Sequence, residues 1–131
     1  AFLSGIRKEY DKAEELYKKA IELDPDSANK IGNYAKHLIA RREIEDAKST
    51  IQKAFELNQD ENDELNLELW FYRYAIFFDE YKEAEKSIEV LLKKGIKSIG
   101  WYLDDVLAAA KELGHPDYEN LCELEKRITV L

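Results

Sequence analysis

Residues 10–25 read YDKAEELYKKAIELDP, and residues 44–57 read IEDAKSTIQKAFEL. Laid over each other, Tyr10, Ala13, Tyr17, Ala20 and Leu23 fall on Ile44, Ala47, Ile51, Ala54 and Leu57, each 34 residues on. A third copy, Tyr81, Ala84, Ile88 and Leu91, follows 37 residues after Ile44, Ala47, Ile51 and Ala54. Within the first copy, Ala13, Leu16, Tyr17, Ala20 and Ile21 recur at three and four, the spacing of one helix face, with Leu23 at its edge. A fixed period of this size marks helical hairpins that stack, because one hairpin cannot bury its apolar face alone. The expected fold is therefore all-α, and an interaction surface leads the functional expectations.

Working outward, Ala1–Glu9 reads as the tail of a broken helix and Tyr10–Leu23 as a strong amphipathic one. Asp24-Pro25 ends it, since the residue before proline is pushed out of the α region. Asp26 or Ser27 then caps a helix over Ala28–Arg41 with Ile31, Tyr34, Ala35, Leu38 and Ile39 inward. Ile44–Leu57 follows. The polar stretch from Asn58 to Asp63 is a loop that supplies the three extra residues of the 37 spacing. Helices are expected over Leu65–Phe78 and Tyr81–Lys93, with Gly95 as the left-handed stop. Trp101–Leu113 ends at Gly114, and Pro116 opens a last helix to about Thr129. No segment alternates like a strand.

Ala13-x-x-x-Tyr17 with Pro25 eight residues on, the turn Asp24-Pro25-Asp26-Ser27, and Ile31-Gly32-Asn33-Tyr34-Ala35 together resemble the tetratricopeptide repeat. The resemblance covers Ala1 to about Lys94 and fades after the second unit: Gln59 stands where Pro25 would recur, and Tyr72 where Gly32 would. It implies an α-α superhelix, a solenoid of about seven antiparallel helices. The whole of 1–131 forms one domain, with units near 1–25, 26–59 and 60–95 and a capping helix pair at 100–129. Gly32 would let its hairpin partner pack closely, and the pair from Trp101 would shield the end of the stack. The start at Ala1-Phe2-Leu3, in mid-pattern, reads as the C-terminal part of a longer array, with Phe2, Tyr10, Tyr17 and Ile21 uncovered.

The resemblance also implies an inner groove lined by the first helix of each hairpin. Asn29, Asn33 and Lys36 would face it from the second unit, and Asn66, Trp70, Arg73 and Phe77 from the third. Asparagine amides pair with a peptide backbone without reading its sequence. Trp, Arg and Phe are residue types enriched where binding energy concentrates. Asn33 and Arg73 are two residues of the type some relatives use to grip a C-terminal carboxylate, but a full set cannot be assigned. The expected function is a protein-interaction scaffold holding a peptide or partner helix in that groove. The alternative is a structural capping or self-associating segment that associates through its N-terminal end.

Composition narrows the rest. The chain is 131 residues, 45% hydrophobic and 37% charged, with 20 basic against 28 acidic residues and a net charge of −8. Such an acidic surface repels phosphate backbones, so nucleic acid is not expected as a partner. No apolar run approaches a membrane span and no signal-peptide pattern opens the chain, so a cytoplasmic, membrane-free protein is expected. The single Cys122 sits in an apolar-periodic stretch and reads as a small buried hydrophobe.

No catalytic residue is assigned. Neither His37, at the polar edge of a helix, nor His115, in a turn, has a Cys, Asp or Glu at i+3 or i+4 in a recognisable metal motif, and both read as surface or capping histidines. Phosphate-loop, nucleophile-elbow and zinc-protease motifs are missing from the sequence. Residues 60–64 lack the central glycine of a calcium loop. Asp104-Asp105 suits a helix dipole. Neither an enzyme, a cofactor nor a metal is expected.

Overall fold

In a computed structural model the chain is described over residues 2–58, 62–97 and 103–129, with side chains from Lys8 onward. Those residues form seven helices and no strand: α1 (Phe2–Leu23), α2 (Ala28–Ala40), α3 (Ile44–Asn58), α4 (Asp63–Ile76), α5 (Tyr81–Lys93), α6 (Asp104–Leu113) and α7 (Tyr118–Thr129). The all-α expectation holds. α1 is one unbroken helix of 22 residues, because no proline or cap separates Glu9 from Tyr10 and the run simply continues.

Helix ends follow local chemistry. Ser27 caps α2 by accepting the Lys30 N–H, and Asn62 caps α4 by accepting the Leu65 N–H. Gly95 and Gly114 adopt left-handed φ values of 83° and 82° after α5 and α6. The α2–α3 turn uses Arg42 instead, at φ 68°. Its guanidinium donates back to the Ala40 carbonyl at 2.8 Å, which helps hold a conformation that side-chain-bearing residues seldom adopt. Asn58, expected in a loop, is the last residue of α3 and is buried, donating to Asn66 Oδ1 at 2.6 Å and to the Asn62 carbonyl. Gln59 and Trp101 lie outside the described residues, as do the side chain of Phe2 and the middle of the 58–63 stretch.

α2 pairs with α3 and α4 with α5; α1 lies on α2, and α3 also touches α4. Turns this short make successive helices antiparallel. Ala35, Ala47, Ala54, Ala75 and Ala84 are fully buried, small enough for helix axes to approach within about 8–10 Å. Gly32 makes its close approach to α4 rather than to its hairpin partner α3: a Cβ there would meet Leu65 Cδ1 at 3.3 Å and Leu69 Cδ2 at 3.5 Å.

The last pair departs from a simple stack. α6 lies against α2 and α4, and α7 against α4 and α6. Pro116 sits in the turn before α7, not in its first turn. α1 differs too. Tyr10, Tyr17 and Ile21 are half-covered, with Tyr10 and Tyr17 in ring contact with α2, whereas Leu16 and Leu23 point outward at 69% and 86% exposure.

Replacing Ala47 by leucine forces three extra carbons into a fully closed crossing. The expected loss is roughly 1–3 kcal/mol of unfolding free energy, read by urea denaturation of Ala47→Leu. An unchanged midpoint contradicts the packing described.

Candidate interaction surfaces

The residues expected in one groove fall into two groups. Asn66, Trp70 and Arg73 of α4, and Phe77 directly after its last residue, recur at three and four and share a side that turns toward α3. The Trp70 ring meets Phe55 of α3 at 4.7 Å between centroids. The Arg73 guanidinium lies 5.5 Å from the Trp70 ring, 5.7 Å from Phe55 and 4.9 Å from Phe77, and pairs with Glu80 at 2.7 Å. Lys48 of α3 sits 5.3 Å from the Phe77 ring. Trp70 also walls a cleft of about 510 Å³ between α4 and α5, shared with Asp63, Asn66, Ser87, Val90, Leu91 and Lys94. Val90 is 55% exposed at its rim.

The other group lies on α2. Asn29 and Asn33 are exposed and Lys36 is half-buried. Lys36 is close enough to Glu68 to favour its charged form. Glu68 stands about half a helical turn away from the Trp70 face of α4, so the two groups flank opposite sides of that helix. Glu68 is buried and accepts a hydrogen bond from the Tyr72 hydroxyl. Burial raises its pKa above the usual carboxylate value, against the opposing effects of Tyr72 and Lys36. Burial likewise raises the Tyr72 phenol well above its ordinary value.

Both histidines, expected at the surface or as caps, are buried. His37 turns into the α1–α2 seam among Tyr10, Tyr17 and Tyr34, with Nε2 3.8 Å from Glu14 Oε1. Neither of those two atoms has a hydrogen-bond partner. Arg41, nearby, pairs with Asp11 at 2.8 Å. His115 packs against Tyr74, Phe78 and Tyr81. Its Nδ1 accepts the Asp117 N–H, so Nε2 carries the proton and donates to the Tyr74 carbonyl at 2.8 Å. Burial lowers the pKa of each below the ordinary histidine value, despite Glu14 and Glu43 near His37 and Asp117 near His115. Tyr74, which accepts from Asn120, is pushed up to about 12, chiefly by burial. The sequence signal for these burials was weak: apart from Tyr34, at i−3 of His37 on α2, the rings around both histidines come from elsewhere in the chain.

Residues 6–68 match the family model of the tetratricopeptide repeat. Residues 6–68, just under half of the chain, carry tetratricopeptide repeats. That family is one of protein-interaction scaffolds, and the matched stretch runs from α1 into α4, taking in the two units whose 34-residue spacing is strict. No curated protein matches the chain, and no solved structure does. Among the described residues, no helix is long and apolar enough to cross a membrane, and no group of three or more His, Cys, Asp or Glu could hold a metal ion. Cys122 is half-buried rather than buried.

The lowered histidine pKa values fix a sign. Each histidine adds stability that is present above its unfolded value, near 6.5, and is lost as pH falls through its folded value. Glu68, raised, acts oppositely, adding stability as pH falls; Glu89, lowered by its hydrogen bond to Arg127, titrates below the range considered. Between pH 7.5 and 5.5 the melting temperature should therefore fall. In a His37→Gln/His115→Gln double variant that fall should shrink or reverse. Identical slopes in the two proteins contradict the burial of neutral histidines.

Proposed function

We propose that this repeat protein is a scaffold that holds a peptide or partner helix, with Asn66, Trp70 and Arg73 of α4 and Phe77 just after it as contacts on one side of α4, and Asn29, Asn33 and Lys36 of α2 as contacts on the other. The observation that carries the reading is the cleft beside Trp70. It joins an aromatic wall, an exposed valine and polar rim groups of both signs, the mix from which peptide-binding sites are built. Arg73, held by three rings and Glu80, makes that wall rigid before any ligand arrives, so little side-chain freedom is lost on binding. The exposed amides of Asn29 and Asn33 offer a second set of contacts to peptide backbone. We further propose a cytoplasmic location for the scaffold.

The test is affinity capture with the chain as bait. A partner retained by the wild type should be lost at least about tenfold with Trp70→Ala/Arg73→Ala, since residues of these types dominate interface energies. Helical circular dichroism checks that the variant stays folded. A folded variant that retains the same partner equally well removes these residues from the site.

A second reading rests on Leu16 and Leu23, two leucines at 69% and 86% exposure on α1. A helix face of this kind favours association through the N-terminal end. Light scattering should then show a concentration-dependent dimer that Leu16→Glu/Leu23→Glu abolishes. A wild-type monomer across the millimolar range, about the upper limit for weak pairing, counts against it.

A further inference from the structure

The repeat that builds the stack also repeats a cleft. The first lies between α2 and α3 beside the end of α1, holds about 250 Å³, and is lined by Ile21, Ile31, Tyr34, Ser49, Thr50 and Lys53. The second is the cleft of about 510 Å³ between α4 and α5. Ile31 stands four residues after the cap Ser27, and Asn66 four residues after the cap Asn62. Thr50 and Ser87 are 37 residues apart, the spacing of Ala47 and Ala84, so their hydroxyls hold the same place on α3 and α5. Lys53 and Val90 correspond in the same way. Ile21 has its counterpart 34 residues on in Phe55, which packs on Trp70. Among the described residues, neither cleft is lined by α6 or α7, so both are open with the last pair seated where it is.

We propose that the two clefts form one surface that binds an extended acidic peptide, each cleft taking an apolar side chain and its lysine a neighbouring carboxylate. Each cleft has an apolar wall with one aromatic ring, Tyr34 beside Ile31 in the first and Trp70 facing Val90 and Leu91 in the second. Each also has a lysine: Lys53 in the first and, one turn beyond Val90, Lys94 in the second. Among the described residues the lysines in ion pairs are Lys18, Lys30, Lys48 and Lys126, whereas Lys53 and Lys94 are exposed and outside that set. A chain of net charge −8 repels acidic ligands over most of its surface, so two unpaired cations beside apolar clefts select where one docks. Asp63, the one carboxylate among the described lining residues, opposes such a ligand in the second cleft. Adjacent helix axes lie about 8–10 Å apart and an extended chain covers about 3.3 Å per residue, so fewer than about ten residues bridge clefts one hairpin apart. Joining two weak contacts in one ligand strengthens both. In the second cleft the inference rests on the scaffold reading and names its ligand; the first cleft involves neither Trp70 nor Arg73.

Selection from a phage-displayed library of random dodecapeptides, with the full chain as bait, tests the surface. Enriched peptides should carry Asp or Glu beside apolar residues. One such peptide, fluorescently labelled, should lose at least about tenfold in affinity for Lys53→Glu/Lys94→Glu. Each single variant should lose about three- to tenfold, because either contact alone holds the peptide weakly. Asp63→Asn should gain about two- to fivefold by removing an opposing charge. Lys53 and Lys94 are exposed, so the variants should keep the fold, which helical circular dichroism checks. Enrichment of basic or uncharged peptides, or no enrichment at all, overturns the inference. So does an acidic peptide with equal affinity for the wild type and the folded double variant. Cellular capture that needs Trp70 and Arg73, with selected peptides indifferent to the two lysines, leaves the scaffold reading standing and removes this ligand. An acidic peptide that needs both lysines, with capture indifferent to Trp70→Ala/Arg73→Ala, supports the surface and removes the Trp70–Arg73 assignment.

Discussion

The structure depends on α4 being covered from every side. Ten of its fourteen residues are buried, and they are spread around the whole helix rather than along a stripe. Leu65 and Leu69 turn to α2, where Gly32 lets them in; Tyr74 turns to α5 and α7; Trp70 turns to α3. Apolar surface left in water costs about 25 cal/mol per Å², so a helix of this composition needs more neighbours than a two-helix unit provides. The stack supplies α2, α3 and α5. The remaining cover has to come from α6 and α7, and this requirement accounts for their departure from simple stacking.

That dependence brings polar groups into the interior, and each is answered in a particular way. Asn58 and Asn66 pair with each other across α3 and α4. Tyr72 donates to Glu68, so a carboxylate in a buried position has at least one strong partner and Lys36 nearby. His115 uses both ring nitrogens, one toward α4 and one toward its own turn. Its neutral form is the only one that satisfies both bonds. Burying a polar group without a partner costs on the order of 1–3 kcal/mol, so these pairings make register between helices specific. The His37–Glu14 contact at 3.8 Å is the exception: the two atoms face each other without a hydrogen bond, at the seam where α1 joins the rest.

Much of the fold was legible because it is written in local chemistry. Ser27 as cap and the glycines at 95 and 114 act within one or two turns of chain and behave as read, while of the alanines at 34-residue spacing Ala47 and Ala54 are closed in and Ala13 and Ala20 of α1 only half-buried. What could not be read was direction across helices. Trp70 and Arg73 lie against each other, yet the Phe55 ring that both meet sits on α3, whose sequence gives no sign of it. Leu16 satisfies the helical period but faces water, because periodicity locates a stripe only to within its width and α1 has one neighbour. His37 and His115 looked polar because burial there is made by aromatic rings brought from elsewhere in the chain. The place of α6 was unreadable for the same reason: Val106, Ala109 and Ala110 mark a close helix crossing but not that the helices crossed are α2 and α4.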